Sequence, residues 1–238
     1  MNNSEKGAYQ LAARAAFPKT LPVLAGYLVL GFGFGLLLQS KGYHCGWAFL
    51  MSLAIYAGSL QYVGVDLLAN GAGFVSTAIM SLLINARHLF YGLSMLVKYR
   101  DLGTLKSYII FGLTDETYSL VCTGDVPDGI DREKYYFCLT AFNHSYWVTG
   151  STLGALFGQT MPINTAGVDF AMTALFVVVL LDNLKKQESR GPAVIGLAVS
   201  AGCLLIFGAK NFLIPSMIGI AAALLWLRKD LQGGGSDD

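Results

Sequence analysis

Charged side chains are scarce in this chain: Asp, Glu, Lys and Arg make up only 13% of its 238 residues. Soluble domains carry roughly 25% charged residues, because a surface that faces water must be solvated. The formal net charge is +1, which provides no basic face for a nucleic acid. Hydrophobic residues reach 54% and are gathered in blocks long enough to cross a hydrocarbon layer of about 30 Å as helices. The composition therefore predicts an integral membrane protein.

Cysteine is also rare, and the sequence signatures of several chemistries are missing. The four cysteines, Cys45, Cys122, Cys138 and Cys203, lie far apart and form no CxxC pair, so neither a zinc site nor a redox site is indicated. The chain has no G-x-x-x-x-G-K-[ST], no H-E-x-x-H and no G-x-S-x-G. We therefore expect no enzyme activity, no metal and no cofactor.

Eight apolar segments follow one another along the chain. Backbone groups in lipid must be hydrogen-bonded within their own segment, so these segments should be helices rather than barrel strands. The fold class predicted is all-α, a polytopic helical membrane protein with about seven or eight transmembrane segments. The apolar segments are 21–39, 46–66, 71–97, 105–122, 135–159, 167–184, 192–208 and 211–228.

Three regions are predicted from this pattern. Residues 1–20 form an amphipathic N-terminal segment, residues 21–229 form a single transmembrane domain, and residues 230–238 form a disordered tail. Lys6, Arg14 and Lys19 place the N-terminus in the cytoplasm, because positive residues concentrate on that side of a membrane. The basic 98–106 loop does not fit, since it would lie outside if every segment crossed. A re-entrant pair, for which the last two segments are the first candidates, would lower the count to seven or six.

The two halves of the domain, 21–122 and 135–229, resemble one another in sequence. Tyr27, Val29, Gly31, Gly35 and Leu37 recur at a fixed offset as Tyr146, Val148, Gly150, Gly154 and Leu156. This similarity predicts an internal two-fold repeat. Secondary transporters are commonly built from two such repeats and contain broken helices near the substrate site.

A cluster of polar residues interrupts the apolar segment 71–97. It contains Asn85, Arg87 and His88. An ionisable group inside a span costs about 2.5–3.5 kcal/mol on insertion scales, so such groups mark functional sites by default. Arg87 has the geometry to bind a substrate carboxylate with two parallel hydrogen bonds. Alternatively, the cluster caps a break between two half-helices or forms a loop between short segments.

Two adjacent carboxylates, Asp115 and Glu116, lie in the middle of segment 105–122. Neighbouring residues of a helix point about 100° apart, so the two side chains should face different surroundings, one of them Arg87. A carboxyl group in a desolvated site is suited to proton coupling. A purely structural ion pair with Arg87 is the alternative.

Two further polar groups lie inside predicted spans. Asn143 and His144 could relay protons or bind a substrate, or they could be satisfied interior residues. Ser59 and Gln61 belong to the stretch YAGSLQ at 56–61, whose small residues suit either an unwound segment around a ligand or close helix packing.

Four motifs together resemble the AzlC-type family, the large subunit of branched-chain amino acid exporters. They are YAGSLQ at 56–61, NARHLFYG at 85–92, TDETY at 114–118 and NHSYW at 143–147, and they occur in the family's order. The resemblance implies efflux of valine, leucine or isoleucine, and in some members methionine. It also implies a partner, a small membrane subunit of the AzlD type.

The leading hypothesis is therefore a secondary exporter of neutral branched-chain amino acids in the bacterial inner membrane, driven by protons. Arg87 would receive the substrate carboxylate, and Asp115 or Glu116 the ammonium group or a coupled proton. The alternative is the membrane permease subunit of an ATP-driven transporter of small solutes. In that case ATP hydrolysis requires another polypeptide, since the chain has no phosphate-binding loop.

Overall fold

The structure is a computed structural model that describes residues 3–160, 177, 180, 181, 184 and 187–227. These residues contain helices and no strand, which confirms the all-helical prediction for the described part of the chain. The helices are α1 (Asn3–Ser40), α2 (Cys45–Ala54), α3 (Gly58–Ala69), α4 (Phe74–Met95), α5 (Lys106–Phe111), α6 (Asp115–Thr123), α7 (Arg132–Thr160), α8 (Gln187–Asn211) and α9 (Leu213–Trp226). Most of the predicted segment 167–184 and the whole tail 230–238 lie outside the described residues. The chain divides into two compact units, residues 1–172 and 173–238.

The long helices α1 and α7 form the centre of the first unit and run parallel to each other. Ring contacts advance in the same direction along both, from Tyr9 with Phe137 through Phe17 with Phe142 to Phe32 with Phe157. The helices have 38 and 29 residues. At 1.5 Å per residue both exceed the roughly 30 Å of a hydrocarbon layer. From residue 3 onward, the predicted amphipathic segment 1–20 continues without a break into the first predicted span.

Glycines allow the backbones of α1 and α7 to come into contact. A Cβ at Gly35 would collide with the backbone of Ser151 and lie 2.5 Å from the amide nitrogen of Ala155. A Cβ at Gly154 would collide with the backbone of Phe32. Small residues four apart give this close approach in membrane helices, where van der Waals packing drives association. The stretches that match in sequence are therefore the ones that pack together, although the internal repeat itself stays a prediction.

Replacing Gly35 by alanine is expected to destabilise the first unit by roughly 1–3 kcal/mol, the usual cost of overpacking a tight interface. The new methyl group has no free space, so the two helices must separate. The fraction of detergent-solubilised protein that remains monodisperse after heating measures this. Gly26→Ala is the matched control, because it lies in the same helix with nothing within 4 Å of its Cβ position. Equal stability of the two variants would contradict the packing described.

The short helices α2 and α3 form a hairpin that turns back halfway along α1. The chain turns at Tyr56, which has a positive φ of 44°. The two arms are antiparallel, since the Gln61 side chain donates to the Ser52 hydroxyl at 3.2 Å. The hairpin returns to the end at which α1 finishes. There the Lys41 ammonium nitrogen lies 3.9 Å from the Asp66 carboxylate. The segment predicted as 46–66 thus enters and leaves at one end.

A second hairpin, α5 and α6, enters from the opposite end of the unit. Helix α4 first brings the chain back to the end where α1 and α7 begin. There the Lys98 ammonium donates to the carbonyl of Val121, near the end of α6, at 2.5 Å. The Leu105 amide donates to the Glu133 carboxylate at 2.8 Å, which fixes the start of α5 beside the start of α7.

The turns of the two hairpins meet beside the middle of α1. The Tyr27 ring lies 6.5 Å from the Tyr56 ring, and its hydroxyl lies 2.7 Å from the Thr114 hydroxyl. The interruption predicted near 56–61 is present. The prediction that 105–122 is one continuous segment is wrong. Helix α5 ends at Gly112, a residue with low helix propensity, and the Thr114 side chain caps the start of α6.

Positive charge gathers at one end of the first unit. Lys98, Arg100 and Lys106 lie beside the start of α7, and α7 is parallel to α1, so they share an end with Lys6 and Arg14. If the segments 46–66 and 71–97 both crossed, the 98–106 loop would lie at the other end. The hairpin of α2 and α3 returns the chain to the end where α1 finishes, so the loop lies at the end where α1 begins.

The second unit contains α8 and α9, which pack against each other. The backbone of α8 is interrupted at Gly208, which has a positive φ of 71° that suits glycine. Among the described residues, two helical stretches are long and apolar enough to cross a membrane, Glu5–Ser40 in the first unit and Arg190–Gly208 in the second.

Candidate functional site

Arg87 joins the two hairpins. Its Nη2 donates to the Ser59 hydroxyl at 2.6 Å, and its Nη1 lies 2.5 Å from the Asp115 carboxylate. Ser59 lies in the first turn of α3, and Asp115 is the first residue of α6. One guanidinium from α4 therefore binds the start of the returning helix of each hairpin.

Helix α4 is continuous through this cluster, which excludes the alternative of a break or loop at residues 85–88. The continuous helix fixes Arg87 relative to its neighbours. His88 Nδ1 lies 3.2 Å from the Asn85 carbonyl of the preceding turn, and its ring contacts Tyr91 at 5.7 Å. The Arg87 side chain thus extends to Asp115 on another helix, whereas the imidazole of His88 contacts residues of its own helix.

Local sequence explains why both carboxylates lie at the start of α6. Thr114 is the N-cap, and its hydroxyl accepts from the Thr117 amide at 3.4 Å. Negative side chains are favoured in the first turn of a helix, where unpaired N–H groups and the helix dipole carry positive charge. The break before Thr114 thus produces a turn that suits Asp115 and Glu116.

The two carboxylates face different helices, as their angular separation predicts. Asp115 pairs with Arg87 of α4, and Glu116 accepts a hydrogen bond from the Tyr27 hydroxyl of α1 at 2.6 Å. The short helix α6 is therefore attached by adjacent residues to two different long helices.

The Arg87–Asp115 pair is partly exposed, and some of its hydrogen-bonding groups have no partner in the described part of the chain. The side chains are 29% and 37% exposed. Within the described part of the chain, Arg87 Nε, Asp115 Oδ1 and Asn85 Oδ1 are buried atoms with no partner at hydrogen-bonding distance. Buried polar atoms are almost always paired, so these mark places where water or a ligand completes the site.

A second, inner group of polar residues lies between α7 and the first hairpin. Gln61 accepts from the Trp147 indole at 2.8 Å and donates to Ser52. His144 lies 3.2 Å from the Ser52 carbonyl and 2.9 Å from the Tyr108 hydroxyl. These buried side chains satisfy one another and hold both hairpins against α7.

Six of the nine predicted site residues fall into three groups, whereas His88 contacts Asn85 within α4 and Glu116 binds Tyr27. Arg87, Asp115 and Ser59 are in direct contact. Gln61 and His144 share the inner group. Asn143 is connected to α6 through a 3.0 Å hydrogen bond to the Thr117 hydroxyl.

Several partners in these groups were not predicted as site residues. Tyr27, Tyr108 and Thr117 each bind a predicted residue. Thr117 lies in the TDETY motif and Tyr27 in the stretch that recurs in the second half, but neither position indicates a binding role by itself. Among the described residues, no three His, Cys, Asp or Glu side chains are placed to share a metal ion.

Comparison with known proteins identifies the family. Residues 22–161 match the family described as AzlC protein. The chain is 41% identical to the branched-chain amino acid transport protein AzlC of Bacillus subtilis, over 93% of this chain and 87% of that protein. This chain belongs to the AzlC family. No solved structure matches it significantly.

Other relatives of this AzlC-family protein are named as membrane proteins. An uncharacterized membrane protein of Helicobacter pylori is 37% identical over 93% of this chain and 97% of its own length. The inner membrane protein YgaZ of Escherichia coli is 29% identical over 84% of this chain and 82% of its own length. The AzlC-family protein is thus a helical membrane protein of an amino acid transport family.

Proposed function

We propose that this AzlC-family protein exports branched-chain amino acids across the bacterial inner membrane. Valine, leucine and isoleucine are the expected substrates, and methionine is a further candidate. The observation that supports this most directly is the Arg87–Asp115 pair at the meeting point of two half-membrane hairpins. Discontinuous helices that end near the midplane form substrate sites in many secondary transporters.

The charges of this pair match those of an amino acid. A zwitterion carries one carboxylate and one ammonium group, and both can exchange partners with the ion pair. Arg87 would bind the substrate carboxylate bidentately, and Asp115 would bind the ammonium group. The exchange leaves the net charge of the site unchanged, so a neutral amino acid enters at less electrostatic cost than an acidic or basic one.

The membrane arrangement follows from the basic end of the first unit. Lysines and arginines favour the cytoplasmic side, so the starts of α1 and α7 would lie in the cytoplasm. The chain would cross the membrane several times, with α2 and α3 entering from outside and α5 and α6 from the cytoplasm. Gln61 and His144 would brace the hairpins, while Asn85, His88 and Asn143 would lie along the pathway.

A small membrane subunit of the AzlD type is the proposed partner, as the resemblance implies. Helix α4 presents an apolar face that suits such a partner, since Leu82, Leu89 and Leu93 are each about 70% exposed in the first unit. Lipid is the other neighbour that suits such an apolar face. Protons are the proposed coupling ion.

Reconstitution tests the function directly. The purified chain, with and without a co-expressed small subunit, is placed in liposomes that contain no ATP, and labelled leucine or valine is followed under a pH gradient. Flux well above that of empty liposomes is expected. Absence of flux in both directions and in both preparations would reject the proposal, and flux that requires added ATP would favour an ATP-driven system.

A further inference from the structure

Glu116 is the carboxylate of the site that has no cation as its hydrogen-bonding partner. It is half-buried, and its Oε2 accepts from the Tyr27 hydroxyl at 2.6 Å. Asp115, the adjacent residue, is held by Arg87. A carboxylate whose hydrogen-bond donors are neutral can take up and release a proton without breaking an ion pair.

A row of hydroxyls continues from Glu116 into the protein. The Tyr27 oxygen lies 2.7 Å from the Thr114 hydroxyl, which lies 3.2 Å from the Thr117 hydroxyl. The row ends at Asn143, whose side-chain amide donates to Thr117 at 3.0 Å. Thr117 and Asn143 are fully buried.

This row satisfies Glu116 in either protonation state. Hydroxyl hydrogens rotate, and each hydroxyl both donates and accepts. When Glu116 is ionised, Tyr27 donates to it and Thr114 turns its hydrogen towards Tyr27. When Glu116 has bound one proton, its own O–H donates to Tyr27, Tyr27 donates to Thr114, and Thr114 donates to Thr117. The ionised state thus makes two hydrogen bonds between these groups and the protonated state makes three, and Glu116 is hydrogen-bonded to Tyr27 in both.

The row also carries the protonation state of Glu116 to three elements. Tyr27 belongs to α1, Thr114 and Thr117 to the start of α6, and Asn143 to α7. Because Asp115 and Glu116 are consecutive in α6, a change of partner at Asp115 moves the backbone that carries Glu116. Substrate and proton would thus act on the same short helix from two sides.

The other titratable and charged groups near Glu116 are few. The charged groups that interact electrostatically with the Glu116 carboxylate are Asp115 of its own helix and Arg87 of α4. Its remaining titratable neighbours are the phenols of Tyr27, Tyr56 and Tyr91. His144 of α7 is bound to the Ser52 carbonyl and Tyr108 instead.

We infer that Glu116 binds the coupling proton and that the row of Tyr27, Thr114, Thr117 and Asn143 adapts to its two states. The proton attaches reversibly to a carboxylate oxygen and leaves from the same atom, so no other reactant is required. The inference rests on the proposed function, in which Arg87 and Asp115 bind the amino acid. Proton and substrate are therefore assigned to adjacent but separate carboxylates.

Glu116→Gln separates coupling from substrate binding. In liposomes, counterflow of labelled leucine against unlabelled leucine needs no proton gradient, whereas accumulation against a concentration difference does. Counterflow is expected to stay within about twofold of the wild type, and pH-driven accumulation to fall at least about tenfold, since a glutamine side chain at this position cannot bind and release the proton. Asp66→Asn, at an exposed carboxylate 3.9 Å from Lys41, is expected to keep both activities.

A second variant tests the row and does not depend on the stability of Glu116→Gln. Tyr27→Phe keeps the ring packed on Trp147, 5.3 Å away, and removes only the hydroxyl that binds Glu116. It is expected to reduce pH-driven accumulation at least about fivefold with counterflow retained.

The outcomes separate the inference from the function on which it rests. If the wild type shows no counterflow with leucine or valine, the proposed function fails. If the wild type shows counterflow and Glu116→Gln still accumulates leucine in a pH gradient, Glu116 is not the coupling site. Loss of counterflow in a folded Glu116→Gln protein would place Glu116 in substrate binding and would also overturn the inference. Unchanged accumulation of leucine by Tyr27→Phe would show that the row of hydroxyls takes no part in proton coupling.

Discussion

Arg87→Ala is expected to lower the rate of leucine transport in liposomes roughly 30- to 150-fold. In the proposed function, Arg87 binds the substrate carboxylate, and a hydrogen bond to a charged group contributes about 1.5–3 kcal/mol. Losing the guanidinium is therefore expected to cost on the order of 2–3 kcal/mol of substrate binding and transport. At 1.36 kcal/mol per factor of ten, that range gives the expected loss.

Arg87→Lys should recover only part of this activity. Lysine keeps the positive charge, but a compact ammonium group cannot replace a planar fork that reaches Ser59 and Asp115 at once. Lys41→Ala is the matched control, because it breaks a cation–carboxylate pair of the same kind that is 3.9 Å long and exposed. Its transport rate is expected to equal that of the wild type.

A double variant distinguishes a transport role from a structural one. Replacing a buried ion pair by apolar residues of similar volume is often neutral for stability, whereas removing one partner is not. Arg87→Met combined with Asp115→Leu should therefore recover the thermal stability lost by Arg87→Ala. If the pair binds the amino acid, transport will remain absent. Active transport by the double variant would show that the pair only supports the fold.

The sequence allows the chemistry of the site to be predicted better than its geometry. Arg87 and Asp115 could be identified as partners because each is expensive to place inside an apolar segment. Tyr27 and Thr117 could not, because a hydroxyl in a helix is tolerated and does not differ from a packing residue. Their roles emerge only from contacts between positions about 90 residues apart in the chain, such as Tyr27 with Glu116.

The hairpins could not be predicted from the sequence for a different reason. Hydropathy measures how many apolar residues follow one another and does not measure their direction. Helices α2 and α3 have 10 and 12 residues, and together they equal one ordinary span. The basic 98–106 loop is the one sequence feature that conflicts with a crossing at 46–66, and the hairpin of α2 and α3 removes the conflict because it returns the chain before residue 98.

Cysteines placed beyond the two hairpins are expected to react from opposite sides of the membrane. With α2 and α3 re-entrant, Asn70→Cys should react with an impermeant maleimide only in intact cells, where the outer surface is accessible. Asp101→Cys should react only in inside-out vesicles. Both positions are exposed. The expected difference in labelling between the two preparations is about tenfold or more, because a charged reagent crosses the hydrocarbon layer very slowly.

Two native cysteines provide the reference, because their sides do not depend on the hairpins. Cys45 follows α1 and should be external. Cys122 ends the fourth apolar segment and should be cytoplasmic both when the segments 46–66 and 105–122 cross and when neither of them does. Chains that retain only one cysteine each are compared with Asn70→Cys and Asp101→Cys in a cysteine-free background. If each segment crossed the membrane, the cysteine at position 70 would be labelled in inside-out vesicles, as Cys122 is. The cysteine at position 101 would be labelled in intact cells, as Cys45 is. That exchange of sides would reject the re-entrant hairpins, and with them the meeting point at which Arg87 binds both.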